Sequence, residues 1–295
     1  MFNKSIFKKN IAEKQDGMKA YIHNLFPQDY IEELKKIPRL VLGHVSGIES
    51  MVVLYASLTH IKADALVLMS AYTGTGYGEQ KTLWKDLQAL KSAIEKTRRI
   101  YCVGPIVIGA PQFWRALNGR FVQELISRYR FYCPCFGCRL YLCALTIPLC
   151  KALNIETVAS GNISGRGGGG SIFATNTANY YCAHLLSSFG IKLMYNIVNE
   201  ETAQKVKTEM NIKTINEEDD CFPCVFQNNC RMLDTTWKEP PHLNLYFERF
   251  LIPATAKIIS KVLSGRDFDY CDEVAEVLMP GTKLKYKKKR GIITG

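Results

Sequence analysis

Continuous apolar runs of strand length recur along the first two thirds of the chain and alternate with stretches of helical periodicity. Runs that are apolar at every position are typical of strands buried on both faces, as in parallel sheets. A four-three-four spacing of Leu83, Leu87, Leu90 and Ile94 predicts an amphipathic helix. The pattern predicts strands over 38–45, 64–71, 100–110, 156–160 and 191–198, and helices over 47–60, 79–99, 114–125, 139–153 and 200–210.

This alternation predicts an α/β fold: a parallel five-stranded sheet with helices on both faces, of the Rossmann-like kind. Such sheets bind ligands beyond the carboxyl ends of their strands, where the strand order reverses. Two polar, glycine-bearing segments follow predicted strands, HVSGIES at 44–50 and SGNISGRGGGG at 160–170. We therefore expect a ligand site between these two segments.

The first segment joins a predicted strand to a predicted helix. Ser46, Gly47 and Ser50 supply a glycine and two hydroxyls where the helix N-terminus leaves backbone N–H groups unpaired, a favourable place for an anion. Glu49 adds negative charge, which makes sense if Mg²⁺ accompanies a phosphate. An ordinary capped helix start explains the same residues without a ligand. His44, at the strand end, is either a nucleotide contact or structural.

The second segment contains four consecutive glycines, 167–170, followed by Ser171. Four glycines permit either a mobile loop or a close approach of the backbone to a ligand. Arg166 precedes them and is suited to a phosphate or a carboxylate. Asn162 and Asn176 are further polar candidates, and Gly161 marks the strand end. A flexible surface loop is the alternative.

Eleven cysteines are present, and six of them form two clusters. In the second cluster, Cys221, Cys224 and Cys230 have the short spacing of a metal knuckle, with three cysteines where zinc takes four ligands. His242, Cys271 or a cysteine of the first cluster would supply the fourth. We expect a structural Zn²⁺ that ties the C-terminal segment to the sheet.

The first cluster, CPCFGC, contains Cys133, Cys135 and Cys138 just before a predicted helix. We expect metal or cluster binding here, with a second or a shared zinc site as one form of it. Alternatively one cysteine carries sulfur, because a helix N-terminus and the neighbouring Arg139 would lower its pKa.

The formal net charge is +11, and much of it lies near the ends, notably in KLKYKKKR at 283–290. A basic surface and tail favour a nucleic-acid partner, although a solvated tail is the simpler alternative. No apolar run is long enough to span a membrane, and the N-terminus does not resemble a signal peptide, so we expect a cytoplasmic protein. The sequence leaves the oligomeric state open, with a homodimer as one candidate.

Residues 45–50, VSGIES, resemble the SGGxDS motif of the PP-loop ATP pyrophosphatase superfamily. Gly47, Glu49 and Ser50 match, while Val45 and Ser46 stand where that motif has serine and glycine. Three further segments resemble segments of the 7-cyano-7-deazaguanine synthases and follow in the same order. They are YTGTGYGE at 72–79, the strand ETVASGN at 156–162 and CFPCVFQNNCRM at 221–232. The resemblance covers about residues 38–235.

The resemblance implies ATP binding, transfer of AMP to a carboxylate, amide or nucleobase oxygen, and release of pyrophosphate before attack by nitrogen or sulfur. Together with the helical patterns at both ends of the chain, it predicts a helical N-terminal extension over 1–36, a PP-loop nucleotide-binding domain over 37–215, and a cysteine knuckle, C-terminal helices and basic tail over 216–295. Ser46, Gly47, Ser50 and Gly161 would bind the nucleotide. Glu49, Ser50 and Arg166 would act in catalysis, with Mg²⁺.

Two alternatives remain open beside this one. Iron–sulfur enzymes of tRNA thiolation in the same superfamily hold a [4Fe-4S] cluster on three cysteines, which here would be Cys133, Cys135 and Cys138. Such an enzyme would act on tRNA or a metabolite. The other alternative is a non-catalytic nucleotide- or RNA-binding module, because the motif departs from its usual form.

Overall fold

The computed structural model describes residues 26–75, 80–163, 175–210, 224–225 and 239–281, with only the backbone of 80–82 and 162. Five strands form one sheet in the order β3-β2-β1-β4-β5, and every described pair is parallel. This confirms the predicted fold class and each predicted strand. The strands are β1 (Leu40–Val45), β2 (Ala65–Tyr72), β3 (Tyr101–Gly109), β4 (Thr157–Ile163) and β5 (Lys192–Val198).

The helices cover both faces of the sheet. They are α1 (Gln28–Lys35), α2 (Ile48–Ser57), α3 (Gln80–Ala93), α4 (Pro111–Asn118), α5 (Val122–Tyr129), α6 (Pro134–Leu153), α7 (Asn176–Ser188), α8 (Glu200–Glu209), α9 (Leu243–Tyr246), α10 (Ile252–Leu263) and α11 (Tyr270–Leu278). Two π-helical turns, Ile94–Arg98 and Phe247–Leu251, extend α3 and join α9 to α10.

Alternate residues of each strand serve two separate cores, because side chains of a strand point to opposite faces. In β1, Leu40 and Leu42 belong to one core and Val41 and Val45 to the other. The first core lies under α1, α4, α5, α6, α7, α10 and α11. The second lies under α2, α3 and α8. The strands are therefore buried on both sides, which explains their continuous apolar sequence.

The centre of the first core is α6, whose residues are buried almost throughout. It is the one described helix long and apolar enough to cross a membrane, yet 89% of its most apolar window is buried inside the protein. This burial identifies α6 as a helix of the protein core. Of its two charged residues, Lys151 in the last turn is exposed, whereas Arg139 is buried.

Two helix predictions need correction. The predicted helix 114–125 is two helices, α4 and α5, because the chain leaves helical geometry between Asn118 and Val122. The predicted helix 139–153 begins five residues earlier, with Pro134 at its first position. Proline is favoured there because its missing N–H would be unpaired in any case. Cys135 and Cys138 therefore lie within the helix rather than before it.

Both chain ends, as far as they are described, pack into the first core. Phe26, Tyr30, Ile31 and Leu34 join it from α1. Residues 243–263 form one nearly continuous helical segment, α9 to α10, and α11 packs beside it. Asn199 is the N-cap of α8, since its side chain accepts the Thr202 N–H at 2.8 Å. The predicted domain limits stay a prediction.

Candidate functional site

The strand order reverses between β1 and β4, which are neighbours although they are separated along the chain. The connection after β1 leads to β2 on one side, while β4 leads to β5 on the other. At such a switch point the loops leave in opposite directions and a crevice opens beyond the strand ends. The predicted turn 44–50 and the end of β4 both lie at this crevice.

Two glycines bring α2 close to these strands. A Cβ on Gly43 of β1 would lie 2.6 Å from Leu54 Cδ2. A Cβ on Gly161 of β4 would lie 2.2 Å from the Asn196 carbonyl oxygen and 2.3 Å from Val53 Cγ1. Real Cβ atoms do not approach so closely, so only glycine fits at Gly161, where the backbone of β5 is in the way, whereas at Gly43 the flexible end of Leu54 would have to move. Packing therefore explains Gly161, and its predicted contact with a nucleotide stays a prediction.

The turn between β1 and α2 is held by the Ser50 hydroxyl. Its Oγ accepts the N–H groups of Ser46 at 2.8 Å and Gly47 at 3.1 Å, and it donates to the Gly47 carbonyl oxygen at 2.8 Å. Ser50 itself is buried. The predicted serine thus fixes the turn that precedes the helix and points the first turn of α2 toward the crevice.

Gly47 faces open space. A Cβ there would meet no atom within 4 Å, and its backbone is extended, a conformation that any residue adopts. Neither packing nor backbone strain requires glycine at this position. Its small size leaves room directly in front of the helix N-terminus, where Ser46 is exposed and Glu49 is half-buried. The geometry is thus compatible with an anion at this helix end.

His44 lies behind the turn and is buried, with 2% of its surface exposed. Burial, reinforced by the nearby Arg139 cation, lowers the pKa of His44 to about 3. The imidazole is therefore neutral at physiological pH. It belongs to the interior beneath the crevice.

The first cysteine cluster lies at the same edge of the sheet. Tyr141 of α6 donates its hydroxyl to the Tyr72 carbonyl oxygen at 2.6 Å and accepts the Ala110 N–H at 2.8 Å. These two bonds fix α6 to the chain where β2 and β3 end. Cys138 lies one turn earlier on α6, and Cys133 is the N-cap of that helix. The N-terminus of α6 is therefore held at the carboxyl ends of the strands.

The two cysteine clusters meet here. The Cys224 sulfur lies 3.3 Å from the Thr75 hydroxyl, and the Val225 N–H donates to the Thr75 carbonyl oxygen at 3.0 Å. Cys224 and Cys133 are close enough to Cys138 that their charges help raise its pKa, to about 12, although burial is the main cause. Cys271 is one of the predicted fourth ligands. Burial raises the pKa of its thiol, and the charges that act on it belong to other residues, among them Asp269, Arg120 and Arg115.

A metal at these cysteines stays a prediction. Among the residues that the structure describes, no group of three or more histidine, cysteine or acidic side chains is arranged to hold a metal ion. Cys135 forms a disulfide, so its sulfur is not free to bind a metal in this state. Cys221, Cys230, Arg166 and the glycine loop 167–170 lie outside the described residues, as does the basic tail 283–290.

Sequence reasoning missed three residues. Thr75 contacts Cys224, and Trp114 of α4 lies beside Cys138 and lowers its pKa. Arg139 was considered only as a neighbour of the cysteines, but it is 5% exposed, contacts β5 and α7, and acts electrostatically on His44 of β1. A charged residue well before the last turn of a twenty-residue apolar helix was the signal for Arg139. No local pattern marks Thr75.

No protein-family model matches the chain. The chain is 26% identical over 246 residues to the uncharacterized protein MJ0009 of Methanocaldococcus jannaschii. The match covers 82% of this chain and 87% of that protein. The similarity thus extends over most of both proteins and is not confined to one motif.

Proposed function

We propose that this protein is an ATP-dependent enzyme that transfers AMP to an oxygen of its substrate and releases pyrophosphate. The observation that carries the proposal is the open space in front of Gly47, at the N-terminus of α2. This helix end lies at the switch point between β1 and β4, the expected ligand crevice of the fold. The resemblance of residues 45–50 to the PP-loop motif supports the same site.

The N-terminus of α2 would hold phosphates for a general electrostatic reason. Backbone N–H groups of the first turn point out of the helix, and the helix dipole adds partial positive charge. Ser50 orients the turn through three hydrogen bonds, so little reorganisation is needed when a phosphate arrives. Adenylation would convert a poor oxygen leaving group into AMP, which nitrogen or sulfur then displaces.

Glu49 is the candidate for holding Mg²⁺ at this site. It is in the first turn of α2 and half-buried, close to where the phosphates would lie. A carboxylate there would repel bare phosphates but would share a Mg²⁺ ion with them. We therefore expect nucleotide binding to require Mg²⁺.

The first experiment measures binding of Mg²⁺–ATP by equilibrium dialysis to the wild-type protein and to Ser50→Ala. We expect the variant to bind at least about tenfold more weakly, because the turn loses the acceptor that orders two of its N–H groups. Ser57→Ala is the matched control. Ser57 is also buried in α2, at the opposite end, and bonds to Val53 and Asn196.

Equal affinity of the wild-type protein and Ser50→Ala, or no binding by the wild-type protein, contradicts the proposal. A loss of affinity in Ser57→Ala of the same size would mean that general destabilisation explains both results. Unfolding curves of all three proteins separate these outcomes.

Sulfur transfer at the cysteines is a second candidate function. It is favoured by the convergence of Cys133, Cys138 and Cys224 at the sheet edge that carries the α2 N-terminus. An iron–sulfur cluster there would require Cys135 to be reduced. A Zn²⁺ ion would instead make the same cysteines structural. A cytoplasmic location is part of both proposals. It is supported by the eight described cysteines that are free, since thiols stay reduced in that compartment.

Metal and acid-labile sulfide content of anaerobically purified protein distinguishes these possibilities. About four irons per chain, lost in Cys138→Ser, would support sulfur or redox chemistry. About one zinc would favour a structural knuckle and leave adenylation as the activity. Cys150→Ser is the control, since Cys150 is buried in the same helix, away from both clusters. A protein that contains neither iron nor zinc would exclude the second candidate.

A further inference from the structure

Arg139 is a buried cation in the second turn of the apolar helix α6, with 5% of its surface exposed. Its guanidinium lies 5.0 Å from the centre of the Tyr195 ring. Nη2 is 3.5 Å from Asn179 Oδ1, at the limit of a hydrogen bond, and Nε has no partner among the described residues. The two thiols beside it are Cys143 and Cys182.

No carboxylate of the described residues accompanies Arg139. Each group that favours its charged form is a thiol or a phenol. An arginine does not lose its proton in a protein, so this charge persists in the interior. Buried charges are normally paired, because removing an ion from water is costly unless an opposite charge or several hydrogen bonds replace the water.

The surroundings of Arg139 are polar and lie on one face of the sheet. Ser160 pairs with Tyr195 across β4 and β5, and Ala159 pairs with Gly43, the residue before His44. His44, Ser160 and Tyr195 therefore point to the face that carries α6 and α7. His44 Nε2 is buried without a described hydrogen-bond partner, as is Arg139 Nε.

This cluster has a more open side at α7 and β5. Asn179 and Tyr195 are half-buried, whereas His44 and Ser160 are buried. Asn179 lies in the first turn of α7, so the positive end of that helix dipole faces the same region. His44 is two residues before Ser46, which places the cluster directly behind the proposed nucleotide site.

We propose that Arg139 binds the carboxylate of a small-molecule substrate, between the side chains of His44, Ser160, Asn179 and Tyr195. The planar edge of the guanidinium matches a carboxylate, which accepts two parallel hydrogen bonds. One buried positive charge beside a neutral imidazole balances one negative charge better than the two of a phosphate. Assigning this carboxylate to the molecule that is adenylated rests on the proposed function.

Thermal unfolding of the full chain without nucleotide tests the site. Acetate and benzoate, titrated to about 100 mM at constant ionic strength with chloride, should raise the unfolding midpoint of the wild-type protein progressively, as ligand linkage requires. Arg139→Met should show no such rise, and its midpoint without ligand should be about 3 °C above that of the wild-type protein, because an unpaired buried charge is removed. Arg139→Lys keeps the charge but loses the planar edge, so its response should be weaker.

Arg98→Met is the matched control and should keep the wild-type response. Arg98 also lies over a tyrosine ring, 4.5 Å from the centre of Tyr55, but it has a carboxylate partner, Glu209, at 3.6 Å. A lower midpoint in Arg139→Met without ligand would show that Arg139 is paired internally and would overturn the proposal.

Three other outcomes would also overturn it. The unfolding midpoint of the wild-type protein could rise with inorganic phosphate but not with acetate or benzoate, it could rise with none of them, or Arg139→Met could show the same rise as the wild-type protein. None of these measurements includes ATP. A failure of the proposed adenylation therefore leaves the carboxylate site standing, and the converse also holds.

Discussion

Gly47 and Gly161 border the same crevice for different physical reasons. A side chain at Gly161 would collide with β5 backbone and with α2, while one at Gly47 would meet nothing. Glycine at the first position leaves space for a ligand, and glycine at the second lets two elements touch. The sequence shows two glycines at strand ends and does not distinguish these roles.

Alanine at each glycine separates ligand space from packing. Gly47→Ala should change the free energy of unfolding by less than about 1 kcal/mol but weaken Mg²⁺–ATP binding, because a methyl group would occupy the space before α2. Gly161→Ala should lower stability by about 2 kcal/mol, because the overlap forces α2 or β5 to move. Urea unfolding and equilibrium dialysis test both. Normal nucleotide affinity in Gly47→Ala would show that the space is not used.

Protonation of His44 should make the protein sensitive to acid. Its pKa is about 3 in the folded protein and 6.5 in the unfolded chain, so unfolding takes up a proton between these values. The stabilisation is complete above pH 6.5 and declines by about 1.4 kcal/mol per pH unit as the pH falls toward 3. His44→Leu should remove this part of the slope. Unfolding free energies from pH 4.5 to 7.5 measure it, and an unchanged slope would contradict the burial of a neutral imidazole.

Among the elements, the strands were the most predictable. Each is apolar at nearly every position because both faces are covered, and this pattern is visible without a structure. The break between α4 and α5 was not predictable from periodicity, because Phe121, the N-cap of α5, and Leu125 within α5 continue the apolar stripe of α4 and are buried. The start of α6 at Pro134 carried a recognisable signal, proline at the first helical position.

The candidate site was predictable only in part, for a related reason. The turn 44–50 is local, so its residues stand together in the sequence and in the structure. The environment of Arg139 combines β1, β4, β5, α6 and α7, whose residues are far apart along the chain. The strand order brings such groups together, and local sequence patterns do not reveal that order.

At the scale of the whole molecule, α1 is part of the structure that supports the sheet. Leu34 is completely buried in the first core, together with residues of α6 and β1. Leu34→Ala should therefore lower the free energy of unfolding by about 3 kcal/mol. Glu32→Ala, on the exposed side of the same helix, should change it by less than about 0.5 kcal/mol.

Two probes of unfolding would test whether this helix belongs to one cooperative unit. Circular dichroism and tryptophan fluorescence should give coincident transitions in urea for the wild-type protein and for Leu34→Ala. An early transition that removes only part of the helical signal would show instead that α1 unfolds separately from the sheet.

The contact between Thr75 and Cys224 joins positions 149 residues apart. Closing so long a chain segment is entropically costly, so contacts of this kind form after the local and sheet contacts that bring their ends near each other. The cysteines of the two clusters therefore come close to one another only when folding is nearly complete. We therefore expect the highest yield of protein with its native cysteine pairing when refolding starts in the presence of a reductant. Oxidant or metal would be added only after the sheet has formed.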